Sequence, residues 1–278
     1  MRAAPLPPAC APLSDADFQR LRASRPRLWT DPRAHCLTCL KQDENTYRWY
    51  ADGSRTDIAV YDCDCRTQWL MHLWLLNAGI GLNYQRLTWD DVSTVPPAIV
   101  EQVMGYAVAA ARNIAAGRSV ILWSVSPGTG KTLLLSLLCK ALMVQGVQVH
   151  FSQFNEIIDL FTSSWRDQSE REQWNRRVRN VDVLAVDDMG KEAKGRLEMV
   201  EAMVDQIIRA RVSDSAPIAI TTNLTPQQIH EGYGGYAMSL LTESADFIEV
   251  TGTDFRPQRR DLSRRETELG LTRPIAVV

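Results

Sequence analysis

VSPGTGKT, residues 125–132, follows the apolar run Val120-Ile121-Leu122-Trp123 and opens into the apolar stretch Leu133–Leu138. A β-rich run, a glycine turn and a Lys-Thr pair at a helix start are the context of a phosphate-binding loop, G-x-x-x-x-G-K-[ST]. One position departs from that pattern: counting back from Gly130, Val125 stands where the first glycine belongs. A β-branched residue does not take positive φ cheaply, but Pro127-Gly128 provides a turn of its own. The lost glycine lies at the strand exit, away from the amide donors. Ser126, Pro127, Gly128, Thr129, Gly130, Lys131 and Thr132 are therefore expected to cradle a nucleotide. Gly128 and Gly130 let the backbone approach closely, Lys131 reaches the β- and γ-phosphates, and the Thr132 hydroxyl binds Mg²⁺.

Working outward, Val181-Asp182-Val183-Leu184-Ala185-Val186-Asp187-Asp188-Met189-Gly190 reads as an apolar strand ending in two acids, a Walker B pattern. Asp187 is assigned to the metal side and Asp188 to polarising the attacking water, with Glu192 as an assisting or replacing acid. Ile218-Ala219-Ile220-Thr221-Thr222-Asn223 is a further apolar strand with a polar end. Its Asn223 can both donate and accept, which suits a sensor of the γ-phosphate or of the water.

Between these motifs the chain alternates β-rich runs (119–124, 147–151, 181–186, 217–222) with helical stretches (131–145, 153–164, 195–212). That alternation predicts a parallel sheet with helices on both faces. An Ala-rich helix is expected from Pro97 to about Ala116, ending at Gly117.

The N-terminal third reads differently. Four of the six cysteines cluster as Cys36-x₂-Cys39 and Cys63-x-Cys65 around a hairpin turning at Asp52-Gly53, with a helix following from about Arg66 to Ala78. Two thiolates from a knuckle and two near a helix start make a tetrahedral structural Zn²⁺ site, as in a zinc ribbon or treble clef. His35 and His72 are alternative ligands. Cys10 and Cys139 are off the spacing, and Cys139 is expected in the core. Trp69, Leu70, Leu73, Trp74 and Leu76 give the following helix a wide apolar face, either packing or a docking surface. The expected organisation is a flexible arm over 1–30, a zinc-binding domain over 31–80, a linker over 81–97, an ATPase domain over 98–260 and a tail over 261–278.

The chain has 278 residues and a formal net charge of −2, so a nucleic-acid contact must come from a local patch. No apolar run approaches the ~20 residues of a membrane span, and residues 1–13 lack a signal-peptide centre. A cytoplasmic protein is expected, in which cysteines serve as metal ligands or free thiols.

Phosphate loop, Walker B strand and polar-ended strand, in this order, resemble an AAA+ ATPase. In detail, SPGTGKTLL (126–134), VDVLAVDDMGKE (181–192), PIAITTNLTPQQI (217–229) and YGGYAMSLLTESADFIEVTGTDFR (233–256) resemble helicase loaders of the DnaC/DnaI type, particularly phage relatives. The resemblance spans about residues 31–260. It implies ATP and Mg²⁺ as ligands, an N-terminal zinc domain, a DnaB-type replicative helicase and single-stranded DNA as partners, and homo-oligomers when ATP is bound. It implies that Arg256 is the sensor-2 arginine touching the γ-phosphate. Where such loaders carry Ser-Arg-Leu, this chain has Ser239-Leu240-Leu241, so the arginine finger offered to a neighbouring subunit is missing. Arg209 or Arg211 is a possible substitute; otherwise the ATPase is a slow switch. A transposition helper of the IstB type and a non-hydrolysing adaptor are the alternative readings.

Overall fold

The computed structural model describes residues 20, 65–190, 197–233, 235–268 and 275–276. Cys36, Cys39 and Cys63 lie outside these residues, as does Glu192; Cys65 is described only as the first residue of a helix.

Five strands form one parallel sheet: β1 (Ser119–Trp123), β2 (Val149–Gln153), β3 (Val183–Met189), β4 (Ile218–Thr222) and β5 (Ala245–Glu249), in the order β2-β3-β4-β1-β5. The strands are apolar on both faces because both faces are covered. Val120 and Leu122 belong to one core cluster and Ile121 to the other. The same alternation holds along β3, with Val183 and Ala185 on one side and Leu184 and Val186 on the other. Sequence reading found four of these strands. It passed over β5, an edge strand that is mostly half-buried and carries Asp246 and Glu249, so its apolar signal is weak.

The first core packs α1 (Cys65–Asn77), α3 (Pro97–Val108) and α5 (Lys131–Val144) against the sheet. The second packs α6 (Phe154–Ser163), α8 (Leu197–Ser213) and α10 (Gly235–Ser244) against the opposite face. The Ala-rich helix is interrupted at Ala109 and resumes as α4 (Ala110–Ala115). Cys139 is fully buried on α5, as expected from its spacing.

The region read as metal module, connector and tail differs in detail. Leu70 and Leu73 of the apolar face of α1, with Leu75, belong to the same core as α5 and Trp74 packs against it, while Leu76 stays exposed. The C-terminal end of α1 covers the outer edge of β2: the Phe151 amide donates to the Ala78 carbonyl at 2.7 Å. Gly79 (φ 86°) makes that approach possible, since a Cβ there would stand 1.9 Å from the Phe151 carbonyl oxygen. Residues 81–97 are not a bare linker. They form α2 (Leu82–Gln85) and a 3₁₀ turn (Trp89–Val92), and they bury Leu87, Val92 and Val95 in the main core. Past residue 260 the chain continues as helix α11 (Arg256–Glu268), and Ile275 returns to the first core. His72 faces inward, its Nδ1 2.7 Å from Gln85 Oε1. Among the described residues no helix is long and apolar enough to cross a membrane.

Candidate functional site

Ligands of open parallel sheets bind beyond the carboxyl ends of the strands. The strand order puts β4 between β1 and β3, so the ends of the phosphate-loop, sensor and acid strands are adjacent. Beyond them lies a cleft of about 440 Å³. Pro127, Gly128, Thr129, Gly130, Lys131, Thr132, Asp188, Asn223 and Arg256 line it together. These residues come from the three motifs and the late stretch, some 130 positions apart in the chain.

The loop geometry answers the question posed by Val125. Gly128 (φ 78°) and Gly130 (φ 94°) occupy the left-handed region; Val125 does not, and its side chain is exposed. The turn is therefore made at 128–130, and position 125 needs no glycine. Gly128 has a second reason to lack a side chain: a Cβ there would overlap the Asp254 carboxylate at 1.9 Å. Phe255 N–H donates to the Gly128 carbonyl at 3.0 Å, so the segment leading to Arg256 is fastened directly to the phosphate loop.

The start of α5 carries amides without helical carbonyl partners, the donor set that a phosphate takes. Lys131 is buried, and its Nζ donates to the Ser126 carbonyl at 3.0 Å and the Ser124 carbonyl at 3.3 Å. Ser126 is thus present in the loop through its backbone, not as part of the cleft wall.

Asp187 is buried at the end of β3, and two hydroxyls donate to its Oδ1: Thr132 at 2.9 Å and Thr221 at 2.6 Å. The first contact joins the phosphate loop to the acid strand and presents a hydroxyl and a carboxylate together. That hard oxygen pair, beside a phosphate cradle, fits Mg²⁺ bound with a nucleotide. Asp188 breaks the ladder. It sits at φ 60°, in a shift of the β3–β4 register between Val186 and Met189. A bulge of this kind re-aims a side chain; here the next acid reaches the cleft while Asp187 stays beneath Thr132. The Asp188 amide donates to Thr221 Oγ1 at 2.9 Å. Thr221 therefore orients both acids. Sequence reading chose Asn223 from this strand end and missed Thr221, although a buried threonine pair ending a strand was visible.

Other cleft residues carry no motif. Asn83, Tyr84 and Leu87 come from the 81–97 segment, and Arg259, Arg260 and Ser263 from α11. Burial first, and then the Asp187 charge, push the Tyr84 phenol up.

Of the two arginines considered as substitutes for the missing finger, Arg211 is committed elsewhere in the fold. Arg211 is buried at the opposite, amino end of the sheet. Its guanidinium donates to the carbonyls of Val178, Arg179, Val181, Asp182 and Pro217 at 2.8–3.3 Å. It is a structural clamp on the entries to β3 and β4. Arg209 pairs with Asp205 one turn away at 2.6 Å on the exposed side of α8. Leu240 itself packs partly buried against the second core.

A protein-family model described as IstB-like ATP binding protein matches residues 98–263, more than half of the chain. The chain belongs to the IstB-like ATP-binding protein family. The matched span of this IstB-like ATPase holds the phosphate loop, Asp188, Asn223 and Arg256 of the cleft. Among curated proteins, the replicative helicase loader DnaC of Escherichia coli K12 is 27% identical over 121 residues, 43% of this chain and 49% of that protein. Uncharacterized protein YdaV of the same organism is 26% identical over 157 residues, 55% of this chain and 62% of that protein. The chain thus spans about half the length of the DnaC relative. Among solved structures, a candidate primosome component of Streptococcus pyogenes serotype M3 shares the fold with a TM-score of 0.50 at 17% identity, covering 63% of this chain and 91% of that one. The DnaC helicase loader crystal structure gives a TM-score of 0.47 at 20% identity, covering 54% and 86%.

Proposed function

We propose that this IstB-like ATPase is an ATP-regulated loader that places a DnaB-type replicative helicase on single-stranded DNA. The observation that carries the reading is the sequence match to the replicative helicase loader DnaC over 121 residues. Magnesium, bound with ATP, neutralises phosphate oxygens. Thr132 and Asp187 are the residues that would hold it, and Lys131 would exchange its loop carbonyls for the β- and γ-phosphates. Asp188 orients and polarises the attacking water, Asn223 reports on the γ-phosphate, and Arg256 stabilises its charge from α11. Glu192 stays in the reading as an assisting acid. With Leu240 in place of a finger arginine, which elsewhere contributes ~10³-fold or more in rate, turnover is slow. ATP then acts mainly as a signal for subunit association, and the protein works in the cytoplasm. A role as an IstB-type transposition helper is the second reading, favoured by the family match itself. Association with a ring helicase, and not with a transposase, separates the two.

The DNA contact needs a local patch, because the chain is slightly acidic overall. Trp165 offers one. It is 61% exposed at the end of α6, propped edge-on against Phe161 at 5.0 Å. Arg166, Arg171, Arg176, Arg177 and Arg179 are exposed around α7 (Gln168–Trp174) and the π-turn after it. An exposed indole among arginines suits base stacking with backbone neutralisation. Trp165→Ala should weaken ATP-dependent binding to an oligo-dT strand by about tenfold, in line with ~1–3 kcal/mol per stacked base. Wild-type binding should fall steeply with salt. Unchanged affinity in the variant would remove this surface from the reading.

The reading also includes a structural Zn²⁺ held by Cys36, Cys39, Cys63 and Cys65. Metal analysis should find about one zinc per chain, and Cys63→Ser should release it. Zinc-free protein with full helicase binding would exclude the site.

A further inference from the structure

Residues 250–255 carry the chain from the end of β5 to Arg256, the first residue of α11. This connector is fixed at both ends. The Val250 amide donates to the Trp123 carbonyl at 2.8 Å, which extends the pairing of β5 with β1, and Val250 is fully buried. The Phe255 amide donates to the Gly128 carbonyl of the phosphate loop at 3.0 Å.

Asp254 stands at the second anchor. Its Oδ1 accepts the Arg256 amide at 3.0 Å. That bond closes an Asx turn around Phe255 and takes up one of the amides that a helix start leaves without a carbonyl partner. The same oxygen lies against the loop, since a Cβ on Gly128 would stand 1.9 Å from it. One carboxylate oxygen thus borders the phosphate loop and holds the backbone of Arg256.

Arg256 lines the cleft with Lys131 and Asp188. Where its side chain can reach depends on where its backbone starts. Two bonds fix that start, Phe255 to the loop and Arg256 to Asp254. Any residue except proline could make the first; the second needs a side-chain acceptor at 254. A negative charge beside a phosphate cradle does not favour an anion. The part that serves the site is therefore the oxygen as an acceptor, and not the charge.

We propose that Asp254 is a positioning residue: by holding the Arg256 amide beside the phosphate loop it aims Arg256 at the terminal phosphate, and so sets the preference of the cleft for a nucleoside triphosphate over the diphosphate. The proposal rests on the reading of Arg256 as the residue that meets the γ-phosphate.

The test compares full-length wild type, Asp254→Ala, Asp254→Asn and Arg256→Gln. Affinities for a fluorescent non-hydrolysable ATP analogue and for fluorescent ADP are measured with Mg²⁺. In Asp254→Ala the preference for the triphosphate should fall about fivefold, the worth of one capping hydrogen bond, with ADP affinity kept. Asp254→Asn retains the acceptor oxygen and should restore the wild-type preference. A residue that only stabilised the start of α11 would not move the ratio of the two affinities. An unchanged ratio in Asp254→Ala, while Arg256→Gln lowers it, overturns the proposal and leaves the reading of Arg256 intact. Asp254→Asn no better than Asp254→Ala also overturns it, because the charge and not the acceptor would then matter. An unchanged ratio in Arg256→Gln refutes the γ-phosphate reading of Arg256, and the role of Asp254 falls with it.

Discussion

Lys131 and Asp188 share a cleft, and the proposed function gives them different steps. Lys131 is the buried cation at the start of α5, held by the Ser124 and Ser126 carbonyls. Asp188 is held in the left-handed region by a register shift, with its amide on Thr221. Such backbone persists where the surroundings over-determine it, and it often marks function. Lys131→Ala should remove most ATP affinity, on the order of 100-fold for a lost charge-assisted contact. Asp188→Asn should leave ATP affinity within about threefold and lower steady-state hydrolysis at least tenfold, the scale of general base catalysis. Fluorescent-nucleotide binding and phosphate release measure the two effects separately. Equal turnover in wild type and Asp188→Asn would move the catalytic role to Glu192.

At the scale of elements, the buried Lys140 ties α5 to the segment 84–87. Burial pulls its ammonium down from the usual 10.5 to about 7, partly offset by the Asp91 charge. Between about pH 7 and 10.5 the unfolded chain then holds a proton that the folded chain has lost. Stability should therefore rise with pH across that window, and Lys140 should contribute little slope below it. Burial of the Cys139 thiol pushes it up, which lowers stability once the pH passes the usual thiol range near 9. The lysine contribution is cleanest from pH 7 to 8.5. There wild type should gain up to about 1.4 kcal/mol per pH unit from this group, and Lys140→Met should lose that slope. Urea midpoints at three pH values measure it. Equal slopes would mean that Lys140 keeps its charge inside the fold.

The same elements show how far sequence reading carries. Four apolar strands and the loop, acid and sensor motifs were legible because each is a local pattern with a fixed spacing. β5 was not, since an edge strand with Asp246 and Glu249 loses the apolar run that marks its neighbours. Residues 81–97 looked like a connector because a double proline and polar turns dominate them locally. Their role comes from packing: Leu87, Val92 and Val95 join the core, and Tyr84 reaches the site. Arg211 shows the opposite error. An arginine at a helix end near a sensor strand suggested a finger, yet the guanidinium is spent on five carbonyls at the other end of the sheet. No spacing rule reveals which end of a strand a helical side chain will face.

For the whole molecule, the features that matter are the cleft beyond the sheet and the absence of an arginine at position 240. On the proposed reading, this is an ATPase that binds nucleotide well and turns it over slowly, so that the nucleotide state governs assembly. The most direct measurement is helicase loading itself. A purified DnaB-type helicase, this protein and a closed single-stranded DNA circle are mixed with ATP, with ADP or with no nucleotide, and helicase retained on the circle is quantified. The account predicts ATP-dependent retention that is lost in Lys131→Ala. Retention that is absent in every nucleotide state, or equal with and without ATP and in Lys131→Ala, would contradict it.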